Sequence, residues 1–148
     1  MHLLSHLLLK MRFRTYKELS RLTSFSDRYE YLRIGGEVGA TTFGWERYIN
    51  QILYHSAKWR KTRDKVIIRD EGCDLGDLDF EIRDRIIVHH MNPLTPEDVE
   101  EDRDYIYDPD LLICTSRATH NAIHYGDASL LPKLPIERRP WDTCPWRI

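Results

Sequence analysis

The stretch that decides the fold runs Arg85-Ile-Ile-Val-His-His-Met-Asn-Pro93 and resumes as Leu111-Leu-Ile-Cys-Thr-Ser-Arg-Ala-Thr-His-Asn-Ala-Ile-His-Tyr-Gly126. The run from Arg85 to His89 is rich in β-branched residues and predicts a strand, which Asn92-Pro93 closes. Leu111–Cys114 predicts a second strand. Thr115 or Ser116 then caps a helix, and Gly126 ends it. Four of the seven histidines fall between residues 89 and 124. His120 and His124 are four apart on the predicted helix, so both rings share one face and two imidazole nitrogens can reach one ion. His89 and His90 are neighbours on a strand, so their side chains point to opposite faces. Adjacent strand histidines do not chelate one ion easily. They suit a division of labour, with one ring on a metal and the other free, near its ordinary pKa of about 6.5, to accept a proton.

Outward from this centre, residues 46–69 predict one helix or two in succession, stopped at Glu71-Gly72. Within 55–69 the basic residues Lys58, Arg60, Lys61, Arg63, Lys65 and Arg69 face only Asp64, a net charge of +5. That run is the candidate for phosphate contact, or else a solvated helix face. Trp59 within it reads as core rather than as a platform for bases. Residues 94–110 are the reverse, with a net charge of −7 and a short helix predicted from Thr95-Pro96. Such a stretch does not lie on DNA. It faces away, or holds an active-site loop closed until a partner arrives. Residues 15–33 predict a helical pair, the second capped by Thr23 or Ser24, before Gly35-Gly36 and Gly39 break the chain. The tail from Pro132 is expected to be extended.

The chain of 148 residues has room for one domain, expected as an N-terminal helical segment (1–54), a central domain (55–130) and an extended tail (131–148). The formal charge of −2 excludes a uniformly basic nucleic-acid coat but not a local patch. Cys73, Cys114 and Cys144 form no Cys-x-x-Cys pair, as expected of a reduced, cytoplasmic chain. The apolar lead-in 1–10 is too short to span a bilayer and carries its basic residues after the apolar run, so no membrane or export role is expected.

Val88-His89-His90-Met91-Asn92-Pro93, Asp108-Pro109-Asp110-Leu111-Leu112-Ile113-Cys114 and Thr119-His120-Asn121-Ala122-Ile123-His124-Tyr125-Gly126 together resemble the HNH endonucleases, the His-Me finger or ββα-metal family. Lys58-Trp59-Arg60-Lys61-Thr62-Arg63 through Ile68-Arg69-Asp70-Glu71-Gly72-Cys73 is similar to that family's lead-in. Thr42-Phe43-Gly44, Leu130-Leu-Pro-Lys and Glu137-Arg-Arg-Pro are similar to its small bacteriophage-encoded members. The resemblance implies an α+β fold with a ββα-metal core, helices packed N-terminal to it and an extended C-terminal tail. It implies that His89, His120 and His124 hold one divalent ion (Mg, Mn, Zn or Ni). His90 would be the general base, and Asp110 would brace the loop where the family has Asn. Lys58, Arg60, Lys61, Arg63, Lys65 and Arg69 would contact DNA. The family's two Cys-x-x-Cys pairs are not kept, so no second, structural metal is expected. The implied activity is hydrolysis of DNA phosphodiester bonds in the bacterial host cytoplasm. A different class fits the same residues: a non-catalytic DNA-binding or phage assembly and packaging accessory protein with a structural metal.

Overall fold

The computed structural model describes residues 13–34, 50–77 and 79–131. The lead-in, the Gly35-Gly36 break, Thr42-Phe43-Gly44 and the expected tail lie outside the described residues. Helix α1 (Tyr16–Leu19) is capped by the Thr15 side chain, and α2 (Phe25–Leu32) by Ser24. A short π-helical turn, Asn50–Tyr54, precedes α3 (Ala57–Asp70), which Ser56 caps. The expected stop falls on Glu71 itself, in the left-handed region at φ 55°, with Gly72 following at φ 68°.

Two small antiparallel pairs follow. Strand β1 (Cys73–Asp74) pairs with β2 (Phe80–Glu81), and β3 (Ile87–His90) pairs with β4 (Leu112–Thr115). The long β3–β4 connection contains α4 (Pro96–Glu100). Here Thr95 and Asp98 form a capping box and Pro96 takes the first turn, where its missing N–H costs nothing. Helix α5 (Arg117–Tyr125) starts on Ser116 and ends on Gly126 at φ 64°. The architecture is α+β. Strand β3 starts at Ile87, two residues later than expected, and runs through both histidines.

The β3–β4 pair is covered on both faces. Val88, Leu112 and Cys114 pack with Trp59 and Val66 of α3. Ile113 packs on the opposite face with Ile123 of α5 and with Leu19 and Leu32 of α1 and α2. This explains why β4 is buried at every position rather than alternately. It also makes the N-terminal helices part of the same core as the histidine helix. Each fully buried aliphatic side chain there contributes about 1.5–3 kcal/mol.

Candidate metal centre

The register His89↔Ile113 and His90↔Leu112 assigns the two histidines to opposite faces. His89 turns toward α5. Its ring stands edge-on to His120 at 5.3 Å and to His124 at 5.1 Å between centroids, and those two rings lie 4.3 Å apart. One ligand nitrogen from each of the three lies within 4.8 Å of the others. Helical spacing of four residues stacks His120 over His124, and strand alternation points His89 at both.

His89 is only 2% exposed, and its Nε2 has no hydrogen-bond partner. A buried polar nitrogen left unpaired is costly, and an ion shared with His120 and His124 would satisfy it. Burial, then the charges of His120 and His124, hold His89 well below the ordinary imidazole range. Burial, then His124, lowers His120 to about 4. Both rings are thus neutral at pH 7, the form that ligates metals. The donor set of three imidazoles fits one divalent ion, with transition metals favoured in affinity.

His90 lies on the α3 side. Its ring stacks on Trp59 at 5.0 Å with 21° between planes, and its Nε2 lies 3.0 Å from the Ile106 carbonyl oxygen. A carbonyl only accepts, so Nε2 carries the proton and Nδ1 the lone pair. Burial lowers His90 to about 4 against the opposing pull of that hydrogen bond, so the ring does not keep the ordinary value near 6.5 expected of a free base. The acceptor that orients His90 is therefore Ile106. The Asp110 N–H donates instead to the Asp108 carboxylate at 2.9 Å, inside the 3-10 turn Pro109–Leu111 ahead of β4. Asn92 clamps the N-terminal arm, accepting from the Arg14 N–H at 2.8 Å and donating to the Arg14 carbonyl at 3.0 Å.

The basic residues of α3 divide. Arg60, Lys61 and Lys65 are exposed on its outer side and Arg63 is half-buried. Lys58 is exposed but pairs with Asp102 at 3.2 Å and lies over the Tyr107 ring. Arg69 corrects the expectation of a DNA contact. It is bound to Asp70 at 2.7 Å and to the Pro109 and Leu112 carbonyls, and it packs over the Tyr16 ring. A guanidinium with its donors committed in this way joins α3 to β4. The structure does not bring the basic face and the histidine trio together, because the β3–β4 pair lies between them. The acidic connection meets α3 through the Lys58–Asp102 contact.

Sequence reasoning missed the buried acids. Asp70 accepts the Cys114 N–H at 2.8 Å, and Asp74 accepts from Gly76, Ser116 and Thr119. Asp70 stood in the family-like lead-in with no role assigned to it, and Asp74 just beyond that lead-in, where acids ordinarily read as surface. No family model, curated protein or solved structure matches this chain. Among the described residues, no helix is long and apolar enough to cross a membrane.

Proposed function

We propose that this chain is a metal-dependent endonuclease of the HNH (ββα-metal) kind that hydrolyses DNA phosphodiester bonds. One observation carries the reading. The unpartnered, buried Nε2 of His89 converges with His120 and His124, on an antiparallel pair followed directly by a helix. His89, His120 and His124 would hold the ion. When bound, a divalent ion there supplies a Lewis acid for the phosphate and for charge developing on the leaving oxygen. His90, neutral and fixed through Nε2, offers Nδ1 to take a proton from the attacking water. His90 is the last residue of β3 and lies on the face opposite the trio, so this role requires the phosphate to reach the end of the strand. Asp110 would act through the turn ahead of β4. Arg60, Lys61, Arg63 and Lys65 are the residues available for backbone phosphates.

A second reading draws on the stacking of His90 against Trp59 and its separation from the trio by the strand. It is a non-catalytic DNA-binding protein, or a phage assembly or packaging accessory protein, whose ion is structural. Supercoiled plasmid incubated with Mg, Mn, Ni or Zn separates the two. Wild type should nick or linearise it, and His90→Ala should be slower by about 100-fold or more, the usual contribution of a positioned base. Unchanged cleavage by the variant removes His90 from the mechanism. A wild type that binds metal and DNA yet never cleaves favours the second reading.

A further inference from the structure

The start of α5 is held from outside the strand pair. Asp74, at the end of β1 and 1% exposed, places Oδ2 2.6 Å from Thr119 Oγ1 and 3.1 Å from the Ser116 N–H. Its Oδ1 accepts the Gly76 N–H at 3.1 Å. Ser116 caps α5, and its Oγ is also 3.1 Å from Thr119 Oγ1. One carboxylate therefore fixes both the cap and the first turn of the helix. Thr119 immediately precedes His120, and the His120 N–H is bonded to the Ser116 carbonyl at 2.9 Å. The approach of the β1 loop to this turn is close: a Cβ on Gly76 would lie 2.5 Å from Thr119 Cγ2. Neither His120 nor His124 can slide along or rotate about the α5 axis without breaking these contacts. His89, by contrast, is fixed by the β3–β4 register. The ligand set thus comes from two separately anchored elements, and the distance between them decides whether three nitrogens meet.

We propose that Asp74, acting through Thr119 and Ser116, is the positioning residue that sets His120 and His124 against His89 for metal binding. The inference rests on the reading that the trio holds an ion. Groups that orient ligands from outside the ligand shell typically change metal affinity by about 10–100-fold.

The test uses the full chain with Co2+ as a spectroscopic probe and Zn2+ by competition. Thr119→Val deletes the hydroxyl that Asp74 holds while keeping the shape and the charge balance. It should remain folded by circular dichroism, bind both ions about tenfold more weakly or worse, and show an altered Co2+ absorption band. Thr119→Ser, which restores the hydroxyl, should recover affinity and spectrum. Asp74→Asn should resemble Thr119→Val, and if it does not fold, the Thr119 pair decides. A folded Thr119→Val that binds Co2+ within twofold of wild type, with an unchanged band, overturns the proposal and leaves Asp74 a stability residue only. A wild type that binds neither ion is a different failure: it removes the metal centre itself.

Discussion

His89 and His90 are adjacent in sequence yet belong to different parts of the molecule. On the α5 face, His89 meets two other imidazoles and leaves a buried nitrogen without a partner. On the α3 face, His90 is satisfied, stacked on Trp59 and bonded to the Ile106 carbonyl. The first environment has a ligand nitrogen to offer. The second is complete as it stands. One residue type gives two outcomes, because strand alternation sends neighbouring side chains into layers built by different helices.

The largest expected effect breaks the satisfied face. Trp59 is 4% exposed, and Trp59→Ala should cost about 3–5 kcal/mol in urea unfolding. If the two faces are separate, Co2+ affinity of the surviving folded protein should stay within about threefold, since Trp59 packs on the α3 side of the strands and the trio on the α5 side. A parallel loss of metal binding would show that the faces are one unit. His120→Ala attacks the other face. It should weaken Co2+ binding by more than about 100-fold, beyond the usual cost of losing an outer-shell partner. The urea midpoint without metal should hardly move, and a variant that bound Co2+ normally would end the trio assignment.

A smaller effect concerns Asp77, 4% exposed in the β1–β2 loop, whose Oδ2 also lacks a partner. Burial, then the neighbouring Asp74 charge, raises its carboxyl to about 6, against about 3.9 in an unfolded chain. Between those values the folded state holds more protons than the unfolded one. This group's contribution to stability is therefore present at low pH and lost as pH rises through about 4 to 6. Asp77→Asn should stabilise the protein at pH 7 by about 1–2 kcal/mol and remove that component of the slope. Urea titrations at pH 4.5 and 7 that show no difference between variant and wild type would contradict the assignment. The smallest effect belongs to the outer side of α3. Arg60→Ala should stay within about 0.5 kcal/mol of wild-type stability. Arg69→Ala, by contrast, leaves the buried Asp70 carboxylate without its cation and should cost several-fold more.

The basic run shows where reading the sequence stops working. Arg60 and Arg69 look alike in a charge count, yet one is exposed and the other joins α3 to β4. Helical periodicity separates them only once the buried side of α3 is known, and that side is chosen by Val88, Leu112 and Cys114 on the strands. Asp70 and Asp74 were illegible for the same reason. A carboxylate is tolerated in a core only where N–H or O–H donors converge on it, and the Cys114, Ser116 and Thr119 donors lie more than 40 positions along the chain.

The sequence by itself determined the local elements of the centre. Thr115 or Ser116 and Gly126 bound the histidine helix, with the cap falling on Ser116, Thr95-Pro96 starts α4, the β-branched run makes β3, and spacing of four puts His120 and His124 on one face. All of these depend on contacts a few residues apart. The family resemblance already implied His89 for that face; only the tertiary structure decided what holds His90 and which acids anchor the helix. Those outcomes depend on strand register and on which helix covers which side of the sheet, and both are set by burial between segments far apart in the chain.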